Sequence, residues 1–282
     1  WYWVADWCEE KGIDFILGHA LYMKAIHGGK AKNDKIDSFK IAKLLRGGNF
    51  PIAYTYPKAM RATRDLMRRR MHITRHSAQL KAHVKNTGSQ YNHPPNALNL
   101  RYPSAREEMR NKFSDPAVQK SIDLDLNLID FYNKELATVE WSIKKHAKQH
   151  RAADFNLLKT INGVGDILAL TILYEIGDIS RFESVQKFAS YSRLVKCKAE
   201  SAGKTYGTQG NKIGNAHLKW AFSEAAVLYL RNNDSAKQYI ARLEKRMPKS
   251  KALSALAHKL GRAMFYMLKN QTVFNPDKFI AV

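Results

Sequence analysis

The sequence predicts an α/β amino-terminal segment, a long helical middle and a mainly α carboxy-terminal domain. Three observations predict this. The chain opens with a helix-like stretch, a compact apolar run and a second helix, in the alternation of α/β proteins. Two long helix-like segments follow, the first strongly basic with an irregular apolar stripe, the second with apolar residues every three or four positions. A Gly-x-Gly turn between apolar stretches then introduces a closing set of helices. The boundaries fall at 1–57, 58–152 and 153–282.

Residues 1–11 read as a helix with Trp3, Val4 and Trp7 on its apolar face, ended by Gly12. The aromatic density of Trp1-Tyr2-Trp3 is that of a core, so further residues are expected upstream. Asp14-Phe15-Ile16-Leu17-Gly18-His19 is predicted to be a short buried strand. Gly28-Gly29 lead to a helix over Asp34–Arg46. Asn33 is a good N-cap, Ile36, Ile41, Ala42, Leu44 and Leu45 are its apolar positions, and Gly47-Gly48 close it.

From Lys58 to Lys85, nine Lys and Arg residues (Lys58, Arg61, Arg64, Arg68, Arg69, Arg70, Arg75, Lys81, Lys85) stand against one acid, Asp65. Met60, Leu66, Met67, Met71, Leu80 and Val84 add an irregular apolar stripe, which gives a basic helix ending near Gly88. After a break at His93-Pro94-Pro95-Asn96, a second helix is predicted over 116–150. Its seam of Ile122, Leu126, Ile129, Tyr132, Leu136, Val139 and Ile143 suits an antiparallel hairpin or an intermolecular coiled coil. Leu157 to Leu173 reads as helix, Gly163-Val164-Gly165 turn and helix, a helix-hairpin-helix pattern. Two more helices are expected near 215–231 and 250–270, the last lined by Leu253, Leu256, Leu260, Met264 and Met267.

The charge balance narrows the function classes. In 282 residues, 47 Lys and Arg face 25 Asp and Glu, a net charge of +22. Such a field attracts polyanions, nucleic acid first among them. No apolar run approaches the roughly 18 residues of a membrane span, so a membrane partner is not expected. Cys8 and Cys197 make neither a disulfide framework nor a zinc spacing, and no signal-peptide pattern is present, which suits the cytoplasm.

Three constellations carry chemistry. Asp34 and Asp37, three residues apart, share a helix face at about 5–6 Å between Cβ atoms and suit a magnesium ion facing phosphate. On spacing alone the plainer reading is a helix N-terminus, whose dipole acids offset. Gly163 and Gly165 bring backbone N–H groups toward a phosphate, or pack a tight helix–helix turn. Ser201 opens a basic Gly-rich segment with Lys204 and Lys212 and can attack phosphorus once activated; otherwise it is an ordinary loop serine. The basic helix contacts polyanion through Arg64, Arg68, Arg69 and Arg70, or is a solvated face.

In this order the motifs resemble the insertion-sequence transposases of the Asp-Glu-Asp-Asp (DEDD) type, the "IS one-ten" family. The matching residues are Lys32-Asn33-Asp34-Lys35-Ile36-Asp37 with Ile41-Ala42-Lys43-Leu44-Leu45, then Ile161-Asn162-Gly163-Val164-Gly165, Phe188-Ala189-Ser190-Tyr191, Glu200-Ser201-Ala202-Gly203-Lys204 and Lys212-Ile213-Gly214-Asn215-Ala216-His217-Leu218-Lys219-Trp220-Ala221. The resemblance implies a partial RNase H/RuvC-like domain at 1–57, a coiled-coil middle and a transposase domain at 153–282. It implies magnesium-dependent DNA recombination through a serine that joins covalently to DNA. Asp34 and Asp37 match the last two acids of the metal quartet, and Ser201 matches the nucleophile. Members act as homo-oligomers, here a dimer or tetramer, and some are guided by an RNA from their own element, so a guide RNA stands beside DNA as a partner. The first Asp and the Glu of the quartet belong on strands before Trp1, and Asp6, Glu9, Glu10 and Asp14 do not replace them by position. Ala202 separates Ser201 from Gly203 where many members have Ser-Gly, which leaves Ser192 and Thr205 as lesser candidates. The expected function is therefore DNA strand cleavage and rejoining in transposition. The alternatives are a non-catalytic nucleic-acid-binding protein and a simple metal-dependent nuclease.

Overall fold

The structure is a computed structural model that describes residues 1–27, 33–93, 99–147, 151–209 and 213–280. The amino-terminal segment contributes α1 (Tyr2–Glu10), α2 (Ala20–His27) and α3 (Asp34–Arg46). The limits of α3 follow from its ends. Asn33 Oδ1 accepts the Ile36 N–H at 2.8 Å, and the Gly47 N–H donates back to the Lys43 carbonyl.

The apolar run 14–19 does not form the buried strand expected of it. Its pairing is one isolated antiparallel bridge between Gly18 and Ile52, flanked by the His19 N–H to the Pro51 carbonyl and the Ala53 N–H to the Leu17 carbonyl. Ile13 and Ile16 remain about half exposed. An apolar run becomes a buried strand only when neighbouring strands satisfy its backbone along its length. Among the described residues none flanks it beyond this bridge, so here the segment shows helices joined by a short extended crossing.

The middle is an antiparallel hairpin of α4 (Lys58–Gln90) and α6 (Pro116–Ala147), with α5 (Pro103–Arg110) across its far end. Arg70 meets Glu140 and His83 meets Asp125, which fixes the opposed direction of the two long helices. Val84 packs with Ile122, Leu126 and Ile129 beneath Leu100, Met109 and Phe113. Of the seam read from the sequence, Ile122, Leu126, Ile129 and Ile143 are thus buried within one chain, and Tyr132, Leu136 and Val139 are half-buried. Leu124, Leu128 and Phe131, on the outer face of α6, stay exposed.

The carboxy-terminal part holds the largest core. It comprises α7 (Ala152–Lys159), α8 (Asp166–Ile176), α9 (Val185–Tyr191), α10 (Ala216–Tyr229), α11 (Asp234–Glu244), α12 (Lys249–Asn270) and α13 (Pro276–Ile280). Every residue of α8 from Leu168 to Ile176 is buried, which explains why this helix is apolar all round and not striped. Leu218, Phe222 and Ala225 of α10 interlock with Leu256, Leu260 and Met264 of α12 around it. Asn215 and Asn233 cap α10 and α11 through their side-chain oxygens. A smaller cluster, Met67, Ile143, Ala147, Leu170 and Tyr174, joins the hairpin to α8. Between α9 and α10 lies a two-stranded antiparallel ribbon, β1 (Cys197–Ser201) and β2 (Lys204–Gln209).

Candidate functional site

Asp34 and Asp37 occupy the first turn of α3. Asp34 is exposed and Asp37 half-buried. Their spacing puts both carboxylates on one face, where they also complement the helix dipole. Among the described residues no three His, Cys, Asp or Glu side chains gather as a metal cage. Two carboxylates are apt ligands for a hard divalent cation but supply only part of its oxygen shell. Lys30, Ala31 and Lys32, the basic residues and spacer before them in the motif, lie outside the described residues.

Ser201 does not sit in an open Gly-rich loop, as expected, but at the tip of the ribbon. Ala202 and Gly203 have φ of +50° and +75°. Two successive positive-φ residues are the signature of a type I′ hairpin turn, whose twist matches that of paired strands. Ser201 and Lys204 are direct cross-strand partners. Such partners project their side chains from one face, and both residues are exposed. The other hydroxyls are placed differently. Thr205 Oγ1 donates to Glu200 Oε1 at 3.3 Å, and Ser192 is fully buried. His217, the nearest histidine in sequence, turns toward Met71 (Nδ1–Sδ 2.9 Å), and burial pushes its pKa down. The acids and Ser201 sit on separate elements, with no hydrogen bond between them among the described residues. Lys212 lies outside the described residues.

The two glycines of the 163–165 turn have different jobs. Gly163 has φ +83°, and a Cβ there would lie 2.7 Å from the Leu228 carbonyl carbon. It is a packing residue, pressed against α10. Gly165 has open space around its Cα and caps α8. The next residue, Asp166, is gripped by Lys159 at 2.8 Å and Lys144 at 3.2 Å, and the Lys159 hydrogen bond holds its carboxyl below the usual range.

The basic helix is not the uniform polyanion face its composition suggests. Arg64 and Arg68, expected to hold nucleic-acid backbone, instead bind Glu175. Arg64 Nη2 reaches Oε2 at 3.0 Å, and Arg68 reaches Oε1 through Nε at 2.7 Å and Oε2 through Nη2 at 2.9 Å. Arg70 pairs with Glu140, and Lys58 and Arg61 with Asp6. Besides Lys58, which pairs with Asp6, the exposed cations of α4 are Arg69, Arg75 and Lys85. A carboxylate left alone inside an apolar helix carries a large desolvation cost, and these arginines remove it.

Glu175 is the residue that sequence reasoning missed. It is 2 % exposed. Asn215 Nδ2 donates to its Oε2 at 2.8 Å, while the Tyr56 hydroxyl donates to its backbone carbonyl at 2.7 Å. Arg64 also stacks on Tyr56, its guanidinium carbon 3.7 Å from the ring centre. Burial pushes the Glu175 carboxyl up, but the Arg68 hydrogen bond, the charges of Arg64 and Arg68 and the Asn215 hydrogen bond outweigh it, so the pKa lies below the usual range. This hub joins the extended segment before α4, α4 itself, α8 and the start of α10, the helix that follows the ribbon. One signal was available in the sequence, a single acid inside the apolar run Leu168–Ile176, which requires a buried partner.

Two separate stretches of the chain match known families. Residues 1–92 match a family described as "Transposase", of the DEDD type, and residues 155–241 match "Transposase IS116/IS110/IS902 family". The first match contains Asp34 and Asp37, the second contains the Gly163–Gly165 turn, Glu175 and Ser201. The chain belongs to the IS110 family of transposases. Among relatives, "Putative transposase y4qE" of Sinorhizobium fredii is 26% identical over 221 residues, covering 77% of this chain and 53% of its own length. "Probable family 20 transposase" of Pseudomonas aeruginosa is 25% identical over 151 residues, 50% of this chain and 45% of its own. "Insertion element IS116 uncharacterized 44.8 kDa protein" of Streptomyces clavuligerus is 22% identical over 121 residues, 43% of this chain and 30% of its own. The chain thus spans about half the length of the first two relatives. A DEDD-type domain uses divalent metal as a class. Among the described residues, no helix of this IS110-family chain is long and apolar enough to cross a membrane.

Proposed function

We propose that this chain carries the serine half of a DNA transposase, with Ser201 as the nucleophile. The observation that carries the reading is the ribbon tip, where an exposed Ser201 stands directly across from Lys204 on a two-residue turn. A phosphodiester approaching the tip meets the hydroxyl and a cation on one face. Ser201 Oγ bonds to phosphorus, and the P–O bond to the adjoining deoxyribose breaks. The serine gives its proton to solvent, and the departing deoxyribose oxygen takes one from solvent and leaves as a hydroxyl, so no net proton is released. The phosphoserine bond conserves the energy of the broken linkage, so rejoining is the same exchange in reverse. Lys204 offsets the added negative charge on the phosphoryl oxygens.

Asp34 and Asp37 are proposed as two ligands of a magnesium ion, which would supply charge stabilisation at the scissile phosphate. Gly165 and the exposed cations of α4 are proposed to hold DNA backbone, and the protein is proposed to work as a homo-oligomer. A guide RNA from the same element remains a proposed partner alongside DNA, carried by the family resemblance.

The test uses the full-length transposase with a plasmid bearing the insertion element. Ser201→Ala should eliminate a covalent protein–DNA adduct while leaving DNA binding within about twofold, since an exposed hydroxyl at a turn adds little to stability. Peptide mapping of the adduct should place DNA on Ser201. DNA mapped to Thr205 would remove Ser201 from the mechanism, and cutting without any adduct would make the protein a simple nuclease. Asp34→Asn and Asp37→Asn should each abolish cutting with the fold intact. Normal cutting by both variants would reduce the acids to helix-dipole partners.

A further inference from the structure

The last turns of α6 and the facing surfaces of α7 and α8 enclose a groove of about 780 Å³ that the proposed chemistry at Ser201 does not use. Trp141 stands at its rim, 67% exposed, although a large aromatic side chain is ordinarily covered. The ammonium of Lys145 lies 5.3 Å from the indole centre, and Lys159 lies 5.1 Å from the ring of Phe155. Lys144 and Lys159 hold Asp166 between them. The groove therefore presents an exposed indole, a half-buried phenyl ring beneath Lys159, and three lysines, two of which share the single acid Asp166.

We infer that this groove binds an unpaired nucleic-acid strand, with a base stacked on Trp141 and the adjoining phosphates held by Lys144, Lys145 and Lys159. The inference rests on the nucleic-acid reading above and adds to it a place and a strand state. The physical reason for an unpaired strand is access. In a duplex both faces of each base are covered by neighbours, so an exposed indole has nothing to stack on. In a single strand every base offers a free π-face, and aromatic residues beside cations are the common way of holding one. The volume is of the size that small aromatic ligands occupy. Charge selects a polyanion, and the aromatic pair selects one with flat rings.

The experiment is fluorescence anisotropy with a labelled oligo(dT), a labelled oligo(U) and a labelled blunt duplex, at one fixed salt concentration. Trp141→Ala should weaken single-strand binding about 5- to 150-fold and change duplex binding by less than about twofold. Trp141→Phe should restore most of the lost affinity, because the stacking face returns. Preference for oligo(U) assigns the groove to RNA, and preference for oligo(dT) to a displaced DNA strand. Unchanged single-strand affinity in Trp141→Ala, or an equal loss on all three ligands, overturns the inference. A wild-type protein that binds duplex but neither single strand overturns the groove while leaving the transposase reading intact. One that binds none of the three overturns both.

Discussion

At the scale of single residues, Glu175 is a buried carboxylate held on every side by polar partners. It has two arginines, an asparagine and a tyrosine around it, from elements far apart in the chain. Glu175→Gln keeps the shape and removes the charge, leaving Arg64 buried without its counter-ion. The expected loss is about 3–5 kcal/mol at neutral pH, read by denaturant unfolding. The pH dependence has a definite sign. The folded pKa lies below that of the unfolded chain, so the carboxylate's stabilisation is complete above the ordinary glutamate value of about 4.3 and is lost as pH falls through the lower folded value. The gap between wild type and Glu175→Gln should therefore be constant at neutral pH and close only in acid. A gap that closed between pH about 6 and 8 would mean that another group, such as His217, controls the hub.

At the scale of elements, the α7–α8 turn separates packing from contact. Gly163→Ala adds a methyl group against the Leu228 backbone at a positive φ, two independent penalties. Unfolding should show a loss of about 2–4 kcal/mol. Gly165→Ala meets open space at a negative φ and should cost less than about 1 kcal/mol. If the Gly165 N–H contacts phosphate, Gly165→Ala should weaken duplex binding without lowering the melting temperature by more than a few degrees. A large stability loss with unchanged binding would return the whole turn to the core. The ribbon shows the same division. Its positive-φ pair, Ala202 and Gly203, closes a two-residue hairpin turn in a segment whose glycine content suggested an open loop.

At the scale of the whole molecule, the net charge of +22 is an attractive field, but its distribution is not the one composition suggests. Five of the nine basic residues of Lys58–Lys85 have internal carboxylate partners. Duplex binding should still fall steeply with salt, about 10³–10⁵-fold between about 50 and 200 mM if 6–10 phosphates are contacted. Replacing Arg69, Arg75 and Lys85 with Gln should shallow the log–log slope by about 2–3, as three lost phosphate contacts require. The same measurement on Arg64→Gln and Arg68→Gln should show lower stability and a nearly unchanged slope. A slope that responds to Arg64 and not to Arg69 would place the binding face on the other side of α4.

The sequence by itself determined what depends on near neighbours. The limits of α3 came from an Asn cap and a Gly-Gly stop, and the long helices and their seam came from periodicity, because capping and amphipathicity are set within a few residues. The ordered motifs around Asp34, Gly163 and Ser201 also gave the transposase family. Tertiary structure alone decided the rest. Whether Arg64 meets solvent or Glu175 depends on a residue 111 positions away. Whether Phe15, Ile16 and Leu17 make a strand depends on neighbours that local pattern does not supply. Whether Gly163 faces a phosphate or Leu228 depends on how α10 docks. Each is a long-range desolvation or packing question, and the free energy of burying a charge or fitting a methyl group is fixed by the partner that arrives, not by the residue that waits for it.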